Sequence, residues 1–276
     1  MSYYDYRSSK VFEPNRPNAL DYINCLFDDF IEFHGDRLYG DDTSLIGGIA
    51  MFHEQPVTVI GQLRGKNFRE NIKYNCSMNY PEGYRKSLRL MKQAEKFGRS
   101  IICLVDTVGA YPGVDAEARG QANAIANNLK EMINLKVPII SVLIGFGGSG
   151  GALALCIADE IIMLEHSVLS VVSPKFCANI LWKDSSRESE AAELLKLTSS
   201  DMLQFGIVDK VIKEFSLPQE DGMEKVIEDL DSHLCLKLSE YDKIDSDTIS
   251  KARYEKFRTI DRYAKNMIAS KISVKI

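Results

Sequence analysis

The most constraining feature of this sequence is a set of short runs that are apolar along their whole length and alternate with helix-like segments. Three such runs occupy residues 100–107, 137–145 and 160–165, and the segments between the first two carry apolar residues at helical spacing. A strand without polar alternation is buried on both faces, as in parallel sheets covered by helices on each side. The sequence therefore predicts an α/β fold with a largely parallel sheet.

Other segments predict further elements around this sheet. Residues 19–36 have the apolar spacing of one amphipathic helix. Residues 46–65 contain two strand-like runs separated by His53–Pro56, which indicates a hairpin-like connection. One helix is expected over 115–136 and another through 152–158. The composition divides the chain into an N-terminal arm (1–15), a main domain (16–217) and a charged, helical C-terminal tail (218–276).

Charge and cysteine usage exclude several classes of protein. The formal net charge is -5 and the basic residues are interleaved with acids, so a nucleic-acid partner is not expected. No apolar run has the length of a membrane span, and the first residues lack the apolar core of a signal peptide, which favours the cytoplasm. Six cysteines without C-x-x-C spacing and four scattered histidines predict that this chain binds no metal.

The stretch "GFGGSGG" places five glycines within residues 145–151, directly after an apolar strand. Glycine is costly there unless something must approach the main chain closely. The stretch lacks the Lys-Ser or Lys-Thr pair that ends the P-loop motif of phosphate-binding proteins. An oxyanion formed during a reaction is therefore a better candidate ligand for these glycines than a phosphate. "DTVGAYPGVDAEARG" follows another apolar strand and is also rich in glycine. The two strand ends are expected to face one pocket, although tight packing is the alternative for either cluster alone.

The sequence as a whole resembles the alpha subunits of the bacterial acetyl-CoA carboxylase carboxyltransferase. The resemblance covers about residues 16–215 and continues weakly into "ARYEKFRTI" near the end. It rests on "RPNALDYI", "FHGDR", "IGGIA", "PVTVIGQLRGK", "EGYRKSLRLMKQAEKFGR", "DTVGAYPG", "AEARGQ", "IGFGGSGGALAL", "SVVSP" and "ILWKD". It implies a crotonase-like spiral of strand–strand–helix repeats with the helical tail appended.

The resemblance also implies a reaction and its partners. Carboxyl is moved from carboxybiotin, held on a biotin carboxyl carrier protein, to acetyl-CoA, and the product is malonyl-CoA for fatty acid synthesis. A separate beta subunit with a zinc ribbon completes the active site, in an alpha-two beta-two assembly. The backbone donors for the anionic ureido oxygen are expected to be Gly147 and Gly148. Further residues are expected to line the substrate site: Gly109, Ala110, Phe146, Gly150, Gly151 and Lys66.

The sequence departs from the family pattern at several site motifs. Phe146 replaces an acid, Tyr80 replaces a histidine, and Lys175 and Phe176 replace Glu-Gly. Phe146 and Phe176 are expected to share one apolar wall, against which a glutamate at position 146 would find no partner. A paralogue that uses another acyl thioester or decarboxylates it therefore stays open. So does a non-catalytic homologue that acts as a scaffold or in resistance.

Overall fold

The computed structural model describes residues 10–214 and 220–273. Most of the predicted arm and the junction of domain and tail thus lie outside the described residues, and the division at 15 and 217 stays a proposal. The strands are β1 (Asp28–Glu32), β2 (Leu45–Phe52), β3 (Gln55–Gln62), β4 (Met78–Asn79), β5 (Ile101–Thr107), β6 (Gly109–Ala110), β7 (Ile139–Gly148), β8 (Glu160–Leu164), β9 (Val168–Ser170) and β10 (Lys210–Ile212).

Helices lie between and beyond these strands. They are α1 (Ala19–Leu26), α2 (Phe68–Lys73), α3 (Pro81–Lys96), α4 (Val114–Ala118), α5 (Gln121–Met132), α6 (Ser149–Leu153), α7 (Pro174–Trp182), α8 (Glu188–Leu195), α9 (Ser199–Gln204), α10 (Glu220–Tyr241) and α11 (Ser246–Ser273). The predicted alternation of strands and helices is therefore confirmed through the centre of the chain.

The main sheet has the order β1-β2-β3-β5-β7-β8-β10, with β9 paired to the end of β7. All pairs from β3 onward are parallel, as the apolar runs predict, whereas β1, β2 and β3 are antiparallel. The β2–β3 connection is a two-residue turn, His53 and Glu54, with φ of 45° and 64°. Positive φ at both central residues gives the turn whose twist matches that of a hairpin.

Two predicted helices are shorter than expected. The helix from Ala19 ends at Leu26, and residues 28–32 form the edge strand β1 instead. Gly48 explains the pairing, because a Cβ there would stand 2.0 Å from the carbonyl oxygen of Ile31. The helix expected over 115–136 breaks at Gly120, whose φ of 84° is left-handed and unfavourable for other residues.

Apolar clusters cover both faces of the parallel sheet. Alternate residues of β5 point to opposite sides: Ile102 and Leu104 join one cluster, and Ile101 and Val105 join the other. Helix α10 closes the first cluster with a buried stripe at helical spacing. That stripe consists of Val226, Leu230, Leu234 and Leu238. The helices predicted as a tail therefore pack on the core of the main domain.

Candidate active site

The glycine-rich segment lies where the carboxyl end of β7 meets the residues that follow β5. A Cβ on Gly148 would stand 2.3 Å from the carbonyl carbon and oxygen of Val108. A Cβ on Gly151 would stand 2.8 Å from the backbone nitrogen of Ala110. The two glycine clusters are therefore in contact, as the sequence predicts. The group that approaches the β7 glycines so closely is the backbone of the segment that follows β5.

The glycines of this junction do not share one role. Gly150 has ample space, since a Cβ there would meet only the Ile125 Cγ2 atom, at 3.7 Å. Gly109 also faces open space, but its φ of 144° is one that other residues rarely adopt. Gly145 faces the Asp106 carboxylate, which would stand 2.3 Å from a Cβ. Neighbouring atoms leave no room for a side chain at Gly145, Gly148 and Gly151. At Gly109 the positive φ of the backbone is what favours glycine.

Strand β7 continues through the glycines up to Gly148, further than the sequence suggests. Gly147 is buried and pairs with Thr107 of β5 on one side and with Leu169 of β9 on the other. Gly148 is also in register with β9, at Ser170, so the expected donor role of either glycine stays a prediction. Gly148 ends the strand and is half-buried. The helix that follows, α6, has only five residues and stops at Leu153, which corrects the helix predicted through residue 158.

A small apolar cavity of about 180 Å³ opens beside Gly148. Its wall is formed by aromatic and aliphatic side chains, with serine hydroxyls in addition. The lining residues are Phe12, Val108, Phe146, Gly147, Gly148, Ser149, Val168, Ser170, Val171, Val172, Ser173, Pro174 and Leu197. The sequence singles out the β7 glycines and Phe146, but it gives no signal that Phe12 or Leu197 would reach the same cavity.

A buried ion pair lies next to the glycine-rich end of β7. Asp106 is fully buried at the end of β5 and accepts a hydrogen bond from the Phe146 backbone N–H at 2.8 Å. The Arg64 Nε atom lies 3.4 Å from the Asp106 Oδ2 atom. Burial raises the pKa of the Asp106 carboxyl, and the Arg64 charge opposes that rise. An acid at the end of an apolar strand is the signal by which the sequence could have revealed this pair.

Phe146 belongs to an apolar wall, but its partner differs from the one expected. Its ring packs edge-to-face on Phe12 with the centroids 5.1 Å apart. Phe176 is 67% exposed and is not among the cavity-lining residues, so the expected wall of Phe146 and Phe176 is wrong. The Arg64 guanidinium lies over the Phe146 ring at 5.6 Å. A glutamate at 146 would therefore have a cation within reach, contrary to the expectation that it would have no partner.

The remaining expected site residues occupy two places. Gly109 and Ala110 form β6, which pairs with β4 and lies against Gly148 and Gly151. Lys66 is elsewhere: its ammonium binds the Asp21 carboxylate of α1 at 2.6 Å, and it does not line the cavity. In the part of the chain that the structure describes, every expected site residue except Lys66 therefore lies at the glycine junction. Gly150 is at the edge of this group and does not line the cavity.

Two tyrosines continue the site beyond Ala110. The rings of Tyr80 and Tyr111 stack at 4.3 Å, and the Arg119 guanidinium lies 5.3 Å from the Tyr80 ring. Burial raises the pKa of Tyr80 to about 12, and its hydrogen bond with Tyr111 adds to the rise. The Tyr80 phenol therefore stays protonated near neutral pH beside the glycine junction. Of the helices that the structure describes, none has the length and apolarity to cross a membrane.

Comparison with known proteins identifies relatives over nearly the whole chain. Residues 8–261 match the family described as "Acetyl co-enzyme A carboxylase carboxyltransferase-like". The acetyl-coenzyme A carboxylase carboxyl transferase subunit alpha of Clostridium perfringens is 54% identical over 249 residues, which are 90% of this chain and 92% of that protein. The protein of the same name from Geobacillus sp. is 52% identical over 91% of this chain and 77% of its own.

Solved structures share the fold at low sequence identity. Transcarboxylase 12S superposes with a TM-score of 0.66 at 19% identity, over 83% of this chain but only 43% of its own. A chain of the Pseudomonas malonate decarboxylase hetero-tetramer gives a TM-score of 0.64 at 16% identity, over 86% of this chain and 93% of its own. These likenesses confirm the crotonase-like α/β fold that the sequence resemblance implied.

Proposed function

We propose that this chain, which belongs to the family of acetyl-CoA carboxylase carboxyltransferase alpha subunits, transfers carboxyl from carboxybiotin to acetyl-CoA, giving malonyl-CoA. The observation that carries the proposal is the contact between the two glycine-rich strand ends, with the cavity beside it. The reaction needs fixed backbone donors close to a space large enough for the reacting groups.

We propose Gly148 as the principal backbone donor of the site, with Gly109 lining the site opposite it, since the Gly109 N–H already donates to the Thr107 Oγ1 atom at 3.1 Å. Gly148 ends β7 and lines the cavity, and Gly109 lies across the junction from it. Donors held by the ends of a sheet do not have to reorganise when negative charge develops on an oxygen. Gly147, inside the strand, then has a supporting role: as a glycine it leaves room for the side chains of Leu143 and Leu169, whose atoms would be 2.7 and 2.8 Å from a Cβ.

Biotin, held by a separate carrier protein, supplies the carboxyl group in this proposal. The residues present fit a small, mostly apolar ring system. Phe12, Phe146 and Val168 offer apolar walls, while Ser170 and Ser173 add hydroxyls. These side chains would orient the ring and exclude water, and the glycine junction would hold the charged oxygen. The buried Arg64–Asp106 pair would keep the end of β7 at Phe146 in place through the Asp106 hydrogen bond.

An alpha subunit works within a multi-subunit enzyme. We propose as partners a zinc-ribbon-bearing beta subunit, the biotin carboxyl carrier protein and the acyl-CoA substrate, in an alpha-two beta-two assembly. Exposed apolar side chains near the cavity support a partner surface there: Val108 is 50% exposed and Val171 is 72% exposed. The role in fatty acid synthesis supports the cytoplasm as the location.

The purified chain alone is expected to produce no malonyl-CoA from carboxybiotin and acetyl-CoA, because half of the site is absent. Addition of the beta subunit from the same genome should restore transfer. The measurement is malonyl-CoA formation, with propionyl-CoA as a second acceptor and malonyl-CoA as a substrate for decarboxylation. Turnover by the lone chain would contradict the two-subunit site. An inactive assembled complex would contradict a catalytic role, and preference for another thioester would identify a paralogue.

A further inference from the structure

A second group of chemically active side chains lies at the β2–β3 turn and helix α10. The His53 Nε2 atom is 2.7 Å from the Asp231 Oδ1 atom. Cys235 joins this pair, and one ligand atom from each of the three residues lies within 4.8 Å of the other two. These residues contribute an imidazole nitrogen, a carboxylate oxygen and a sulfur, the three ligand types that zinc prefers in proteins.

The surrounding structure holds all three side chains in place. Asp231 and Cys235 are four residues apart on α10, so they lie on one face of the helix. The neighbouring Leu230 and Leu234 are fully buried, which fixes the rotation of α10 on the sheet. On the other side, the His53 ring packs edge-on against Phe52 with the centroids 4.6 Å apart. The group is therefore preorganised by two separate elements of the fold.

Against the prediction from the sequence that this chain binds no metal, we propose that His53, Asp231 and Cys235 form a Zn²⁺ site that joins the β2–β3 turn to helix α10. Zinc bonds of about 2.0–2.3 Å in tetrahedral geometry separate the ligand atoms by about 3.3–3.8 Å. The ligand atoms lie within 4.8 Å of one another and the His53–Asp231 pair is 2.7 Å apart, so shifts of about 1 Å bring them into that range. His53 is 57% exposed, so solvent can supply the fourth ligand. The chemistry of the group thus points to three protein ligands and one water.

Binding would exchange protons for the metal. The Cys235 thiol must lose its proton to become a ligand, and His53 must bind through a neutral nitrogen. Zinc binding should therefore strengthen as the pH rises. Because the site requires α10 to be docked on the sheet, the metal stabilises the folded chain.

Cobalt is the probe for the site, since a thiolate ligand gives Co²⁺ a charge-transfer absorption and tetrahedral geometry gives intense visible bands. The full chain is expected to bind one Co²⁺ with both signals, and stoichiometric Zn²⁺ should displace it. Cys235→Ser should lose the charge-transfer band, and His53→Gln should weaken Zn²⁺ binding by at least about tenfold. This readout does not depend on carboxyl transfer, so the proposal can fail separately from the proposed function.

Two matched variants control for non-specific binding. Cys76→Ser removes an exposed thiol outside the proposed site. His34→Gln removes a histidine that also contacts an aspartate, Asp41, at 2.9 Å. Both variants should bind Co²⁺ and Zn²⁺ as the unaltered chain does. The proposal is overturned if the unaltered chain shows no thiolate–cobalt band at equimolar metal. It is equally overturned if Cys235→Ser or His53→Gln binds Zn²⁺ as tightly as the two controls.

Discussion

Gly148→Ala is expected to lower carboxyl transfer by the assembled enzyme by about 10²–10³-fold, the usual effect of removing one oxyanion donor. The new methyl group would stand 2.3 Å from the Val108 carbonyl, so the two strand ends must separate. That separation moves the backbone N–H groups of the junction away from their working positions. Malonyl-CoA formation at saturating substrate is the measurement, together with thermal unfolding of the variant.

Gly150→Ala is the matched control, because it adds the same methyl group two residues further along the chain. There the nearest atom would be the Ile125 Cγ2 atom, at 3.7 Å, an ordinary contact. Activity and melting temperature of the control should stay close to those of the unaltered enzyme. Equal activities of the two alanine variants would show that the close approach at Gly148 has no part in catalysis. If Gly148→Ala unfolds, Gly109→Ala gives a second test, since it strains the opposite strand end without a clash.

Arg253→Ala is expected to destabilise the chain by about 3–5 kcal/mol, because it leaves a buried acid without its cation. Arg253 of α11 is 1% exposed, and its guanidinium binds both Asp159 carboxylate oxygens, at 3.0 and 2.6 Å. It also donates to the carbonyl oxygens of Met132, Leu135 and Val137. For a chain of this size the melting temperature should fall by about 10 °C.

Lys251→Ala provides the comparison on the same helix, at a position that is exposed. It should change the melting temperature by no more than about 2 °C, as surface substitutions usually do. Limited proteolysis should cut α11 faster in Arg253→Ala than in Lys251→Ala. A melting temperature within that same range for Arg253→Ala would contradict the anchoring role. The position lies in "ARYEKFRTI", the stretch through which the sequence resemblance to the family continues into the tail, and within the residues 8–261 that match that family.

The parallel core could be predicted because its signal is local. Runs such as Ile101–Thr107 are apolar on both faces, and the structure buries them between two clusters. Strand β1 could not be predicted in the same way. Its apolar residues continue the helical spacing of α1, and only pairing with β2 at Gly48 makes it a strand. Tertiary contact overrides local pattern at that edge.

The site was predictable in outline and less so in detail. Glycines after two neighbouring strands indicated that these strand ends meet, which the structure confirms. The role of each glycine depends on packing: Gly147 lies within the sheet, whereas Gly148 ends it. Contacts between distant parts of the chain were invisible to sequence reasoning. Phe12 reaches Phe146 from the N-terminal region, and His53 meets Asp231 across 178 residues.

The most direct test of the central claim is an experimental structure of the assembled enzyme with biotin bound. The proposed site predicts the biotin ring in the cavity beside Phe146, with its ureido oxygen about 2.7–3.2 Å from the backbone nitrogen of Gly148. Biotin bound in any other part of the complex, with no hydrogen bond from either strand end, would contradict the claim that this glycine junction is the carboxyltransferase site.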